Sequence, residues 1–362
     1  MALLWIEGFE KYGAAGDVVQ PANQSGKKYW SESDNTMNIV AGRYSGQALR
    51  IDATAASLQT PDLSPQDKTL IVGFNFQLVT TNNAARLITL IMPGKNTTSV
   101  GWHSFALSVN NSTGNNELDV VRGGTVIDTS TFNGLTANTW HSVEMKVYCD
   151  ESSGTCNVYV DGAEVISYTG NTRYLTTDNA AYDRYTQVLL RTHVVAAQLY
   201  DDLFVMDGTG STNNDILGTS DFRVETLSPT ADVSGNMTPS TGSTFWEIMD
   251  EDEADANVVY EDTTGNQILM ETSNLTANSA TGTVLGVQLV AETNKAARFN
   301  KHFKYISQNG TVGSIEEGDD VVPGYDGTGF ASVSVMEDDP DGNSWTAATV
   351  NSLRIGLQVK DD

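Results

Sequence analysis

The chain has 362 residues, 39% of them hydrophobic, with 13 Tyr, 11 Phe and 6 Trp. This is enough apolar and aromatic material for packed cores and argues against long disorder. The 46 Asp and Glu against 20 Lys and Arg leave a net charge of -26, which repels phosphate backbones and anionic headgroups, so nucleic acid and membrane are excluded as expected partners.

The first eleven residues, MALLWIEGFEK, hold a short apolar stretch broken by Glu7 and Glu10, too short for a signal peptide core or a membrane span. Synthesis in the cytoplasm is the expectation. Leu3, Leu4 and Trp5 form an apolar N-terminal strand with no hairpin partner nearby, suited to pairing with a sheet edge, its own or a neighbour's. They are the candidate assembly residues, with docking between subunits as the working hypothesis.

Further along, helical periodicity is scarce and period-2 alternation bounded by Gly, Asn, Asp and Ser recurs. Strands are expected at 47–52, 69–79, 86–92, 104–109, 117–121, 125–128, 141–149, 156–160, 186–191 and 199–206. In WHSVEMKVYC, residues 140–149, the set Trp140, Ser142, Glu144, Lys146, Tyr148 alternates with His141, Val143, Met145, Val147, Cys149, predicting one wet and one apolar face. Cys149 and Cys156 bracket DESSGT at a hairpin, leaving two outcomes open, reduced buried thiols or a cross-hairpin disulfide.

After Asp207 turn chemistry dominates, with one strand-like interruption at 222–226. The expected organisation is a β-sandwich over 1–218, a linker over 219–232 and a smaller β-rich domain over 233–362. In the latter, strands are expected at 258–260, 267–271, 284–291, 296–306, 330–336 and 354–359. Its one helix is expected at 345–353, capped by Ser344 and followed by Gly356.

The segment WHSVEMKVYCDESSGTCNVYVDGAEV, 140–165, resembles the strand pair of laminin-G-like and pentraxin-like concanavalin A folds, with Asp161-Gly162 as the positive-φ turn. LLWIEGFEKY (3–12), GRYSGQALRID (42–52), TLIVGFNFQL (69–78) and LYDDLFVMDGTGSTNNDILG (199–218) together resemble a family of tailed-bacteriophage virion proteins. So does the ending, where Asp339, Pro340, Gly342 and Trp345 precede a short helix and a last strand. The resemblance implies an all-β protein, a laminin-G-like jelly-roll sandwich plus a small β domain, in an assembled particle.

A retaining glycosidase on such a sandwich needs E-x-D-x-(x)-E on one strand face; Glu117-Leu118-Asp119 begins that pattern, but Arg122 stands where the acid should be. The acidic run 247–253 has the wrong order. His103, His141, His193 and His302 show no zinc spacing, and no nucleophile-base string occurs. No enzymatic activity is therefore expected. Calcium is the ion that the resemblance suggests, with Asp201, Asp202, Asp207 and Asp215 as candidate ligands, weighed against solvated turn residues. The acidic run Glu316, Glu317, Asp319, Asp320 is a weaker candidate. Tyr29, Trp30 and Trp102 are candidate platforms for stacking on sugar rings, weighed against core packing.

The expected function is a non-enzymatic virion protein, a capsid decoration or cement component or a tail-associated one. It would act as a homotrimer through multivalent contacts with major capsid or tail proteins. The alternative is a virion adhesin that recognises host surface glycan.

Overall fold

The computed structural model describes residues 2–12, 18–19, 31–32, 37–44, 46–52, 57–80, 85–93, 105–112, 116–130, 132–174, 181–191, 197–242, 244–249, 258–276, 279–295, 301–311, 313–321, 324–325 and 330–361. It is almost entirely β and falls into two compact units; the short turn Glu10–Tyr12 groups with the second, and the main division lies between Val224 and Glu225. That point lies inside the 219–232 stretch, although Pro229–Gly235 is itself a strand of the second unit rather than linker.

The first unit contains β1 (Leu3–Glu7), β2 (Val18–Val19), β3 (Ser31–Glu32), β4 (Met37–Ala41), β5 (Gln47–Ile51), β6 (Ser57–Gln59), β7 (Thr69–Leu78), β8 (Ala85–Ile91), β9 (Phe105–Asn110), β10 (Glu117–Arg122), β11 (Thr125–Thr129), β12 (Trp140–Tyr148), β13 (Gly154–Val160), β14 (Ala163–Gly170), β15 (Gln187–Arg191) and β16 (Gln198–Asp207). Nine of them build one antiparallel sheet in the order β14-β13-β12-β7-β16-β5-β4-β2, with β1 also on β16. A seven-stranded sheet runs β11-β10-β9-β8-β15-β6-β3.

Period-2 alternation explains how they stack. Phe74, Phe76, Val143, Met145, Val147 and Tyr200 of the nine-stranded sheet are fully buried, as are Ile88, Leu90, Phe105, Leu107, Leu118, Val120 and Leu190 of the seven-stranded one. The Tyr200 hydroxyl crosses the core to donate to the Leu87 carbonyl at 2.8 Å, so the two inner faces share one interior. The first unit is a β-sandwich. At Asp161 and Gly162, φ of 51° and 81° makes the two-residue turn that joins β13 to β14, a left-handed pair that Asp-Gly supplies with little strain.

The second unit has β17 (Pro229–Gly235), β18 (Thr238–Pro239), α1 (Trp246–Met249), β19 (Val259–Tyr260), β20 (Gln267–Thr272), β21 (Val287–Lys295), β22 (Lys301–Asn309), β23 (Ile315–Val321), β24 (Gly324–Tyr325), β25 (Phe330–Met336), α2 (Ala347–Asn351) and β26 (Leu353–Asp361). A five-stranded sheet, β17-β20-β26-β22-β23, lies over a three-stranded one, β24-β21-β25. Ile268, Met270, Tyr305, Val321, Leu357 and Val359 meet Leu289 and Ala291 in the common core. Gly356 is buried between strands, where a Cβ would come within 1.8 Å of the Ile268 carbonyl oxygen.

Two expectations are corrected here. The helix near the C-terminus begins at Ala347 and is capped by Thr346, whose hydroxyl accepts from the Thr349 amide in a capping box; Ser344 is not the cap. Gly356 does not terminate it, because the chain has already entered β26. Thr346 and Thr349 satisfy one another's backbone amides reciprocally, which a lone upstream serine does not.

Candidate functional site

The predicted wet face of β12 is wet only at its ends: Trp140 and Lys146 are half-buried and Tyr148 is exposed, but the middle is covered. Ser142 and Glu144 are each 2% exposed, because residues 215–224, following β16, lie across the outer face of the nine-stranded sheet. Both Glu144 carboxylate oxygens accept main-chain amides from this segment, Leu217 at 2.6 Å and Gly218 at 2.9 Å. Asp202 accepts the Val224 amide at 2.7 Å and the Asn75 side-chain amide at 2.7 Å. Asn75 also donates to the Phe222 carbonyl and accepts from the Arg43 guanidinium, which in turn donates to the Ser220 carbonyl at 2.9 Å.

Local backbone features make this seat. The β7–β16 register is irregular between Asp201 and Phe204, and Asp202 has φ of 52°. This left-handed conformation is tolerated by Asp, and it brings two consecutive carboxylates to bear on the chain around the sheet. Opposite Phe204 stands Gly73; a Cβ there would come within 2.1 Å of the Phe204 ring. The bare glycine lets Phe204 lie over β7, where Phe222 packs edge-on to it with centroids 5.0 Å apart. At the rim, the Tyr44 ring lies beneath the Arg43 and Arg223 guanidiniums while its hydroxyl donates to Asp221 at 2.7 Å. Burial and that acceptor push the Tyr44 hydroxyl up to about 12.

The electrostatics follow. Burial raises the Asp202 carboxyl to about 6, against the opposing effects of the Val224 amide, Asn75, Arg43 and Arg223. Burial likewise raises Glu144, opposed by the amides of Leu217, Gly218 and Thr219. Desolvation outweighs hydrogen bonding at both.

The four candidate calcium ligands are not brought together. Asp201 accepts the Arg43 amide at 2.8 Å. Asp207 accepts the Gln66 and Thr209 amides at 2.8 and 2.9 Å. Asp215 sits at the surface with Lys146 at 2.8 Å. Asp201, Asp202 and Asp207 are acceptors for the chain's own amides and for the Asn75 side chain. Among the described residues no group of three or more His, Cys, Asp or Glu side chains converges as a metal site would.

Of the two edges open to Leu3, Leu4 and Trp5, the chain's own takes them. β1 pairs antiparallel with the second half of β16, on the side where β5 pairs with its first half, and Leu3 and Trp5 are 3% and 1% exposed. Docking of this strand between subunits is therefore corrected to docking within its own sheet. Cys149 and Cys156 are free and buried. Cys156 pairs with Val147, so Cys149, two residues on, is its diagonal neighbour rather than directly opposite. Tyr29, Trp30, Trp102, His103 and His193 lie outside the described residues.

Sequence reasoning missed a second, buried polar row on the outer side of the seven-stranded sheet. Arg86, Ser108, Asp119 and Thr129 stand in one row across β8, β9, β10 and β11. Gln59 and Thr89 share the face, and Gln59, Arg86, Thr89, Ser108 and Asp119 are each less than 8% exposed. Asp119 accepts the Thr129 hydroxyl at 2.7 Å. Arg122, where a glycosidase would need its acid, donates to the Asn171 carbonyl at 2.7 Å. On β12 of the nine-stranded sheet, His141 Nδ1 meets Asp161 at 2.8 Å, and the same carboxylate accepts the Ser142 amide; this set braces the Asp-Gly turn.

No protein-family model and no curated protein matches the chain. Solved structures give low-level likenesses. The alginate lyase Aly36B aligns at 12% identity over 56% of this chain and 96% of its own, with a TM-score of 0.42. Domain 4 of AbnA, an extracellular arabinanase from Geobacillus stearothermophilus solved with arabinotriose, aligns at 16% identity over 57% and 93%, TM-score 0.38. The potassium-bound carbohydrate recognition domain of Emp46p aligns at 8% identity over 56% and 100%, TM-score 0.35. Likeness at this level assigns neither ligand nor reaction.

Proposed function

We propose that this chain is a non-enzymatic structural protein of a tailed-bacteriophage particle, a head decoration or cement component or a tail-associated one. Its sequence resemblance at both ends and in the middle supports this reading. The structural observation that carries it is the use to which the acidic groups are put. Glu144, Asp201, Asp202 and Asp207 hold the chain's own amides in place, so carboxylates that could have served chemistry stiffen a β module instead. A stiff module copied by symmetry adds weak contacts through avidity, with itself as a homotrimer and with major capsid or tail proteins.

The experiment is quantitative mass spectrometry of purified particles separated into heads and tails. Hundreds of copies on heads identify a decoration or cement protein, and a few copies on tails a tail component; absence from both ends this reading. The alternative reading, a carbohydrate-binding adhesin on the particle surface, is tested by saturable binding on a glycan array.

A further inference from the structure

We propose that residues 215–224 form a latch that leaves and regains the outer face of the nine-stranded sheet as a unit, and that the charge on Glu144 and Asp202 sets how firmly it is held. The geometry is that of a detachable segment. It is neither helix nor strand, and it is pinned at separate points through its main chain: Leu217 and Gly218 amides on Glu144, the Ser220 carbonyl on Arg43, the Phe222 carbonyl on Asn75 and the Val224 amide on Asp202. Its apolar anchor is chiefly Phe222 against Phe204. Segments with few apolar contacts open locally at lower free energy than the core strands beneath them.

Opening returns both carboxylates to water. Glu144 faces Asp215, the Lys146 partner of Asp215, and Tyr159 across the strand pair. Asp202 faces Asn75, Arg43 and Arg223, with Asp201 beside it and Asp221 and Tyr44 beyond the arginines. Burial raises Asp202 to about 6 from an ordinary 3.8 and raises Glu144 as well. The closed form therefore binds protons that the open form releases, and closure strengthens as pH falls from about 6 toward 4 and is weakest, and level, above about 6.

The test is hydrogen exchange of the full chain at pH 5 and pH 7, corrected for intrinsic rates, read at the Leu217, Gly218 and Val224 amides. Protection about 10-fold higher at pH 5, reached through openings of lower free energy than those that expose the β7 amides, is the expected result. In the variants Glu144→Gln and Asp202→Asn the pH dependence shrinks, and in the double variant it disappears. Protection that does not change with pH in the wild type overturns the proposal, as does protection of the latch amides equal to that of the β7 amides, or a pH dependence kept by the double variant. The wild-type comparison stands alone if a variant fails to fold.

Discussion

At the scale of single residues, burial governs the two cysteines and Asp202. Cys149 and Cys156 are both fully buried; burial pushes the Cys149 thiol up to about 12 and Cys156 further up. The thiolate is the reactive form, so neither cysteine should react with a thiol reagent at pH 8 in the folded protein, and both should react in denaturant. Rapid labelling of the native chain would contradict their placement. Asp202 makes a prediction of its own for global stability. Its carboxyl is raised to about 6 from 3.8, so between these values the folded state keeps a proton that the unfolded state has lost. The contribution is favourable at low pH, is lost as pH rises from about 4 to 6, and is flat above. Urea unfolding of wild type and Asp202→Asn should then differ by an amount that shifts by about 1–3 kcal/mol across that window.

At the scale of elements, the latch seat depends on a glycine. Gly73→Ala places a methyl group where the Phe204 ring lies, displacing Phe204 and with it Phe222. Overpacking of this kind costs about 1–3 kcal/mol. The variant should melt at lower temperature and be cleaved faster within 215–224 by a protease, whereas alanine at the exposed Gly282, whose Cβ position lies 3.5 Å from its nearest neighbour, should change neither. Alternation along WHSVEMKVYC was legible because its inner face is local information. That Glu144 would be buried was not, since the segment covering it lies about seventy positions away. The left-handed Asp202 and the bulge beside it likewise leave no trace in a run that reads as an ordinary strand.

At the scale of the whole molecule, the charge of -26 is distributed partly as edge protection. β23, the terminal strand of its sheet, carries Glu316, Glu317, Asp319 and Asp320. Lys304 and Lys360 pair with Glu317, and His302 and Lys304 with Asp320. A charged edge strand discourages further strand addition at β23. If the chain is a homotrimer, light scattering of the purified protein should give three times the chain mass. A monomer across the micromolar range would leave symmetry to the particle rather than to the free protein.

Sequence alone determined the fold class and the positions of many strands, because period-2 patterning and turn residues are local consequences of backbone geometry and side-chain burial. It also placed the Asp-Gly turn between two strands. Tertiary structure decided what the polar residues do. Asp201, Asp202 and Asp207 read as a cation cluster along the chain, yet in three dimensions each carboxylate meets different donors, brought from residues as distant as Arg43 and Gln66. β1 could have paired with any exposed edge, and only the shape of its own sheet, with half of β16 open beyond β5, gave it a place. Such choices rest on long-range hydrogen bonds and shared desolvation, which no window of sequence contains.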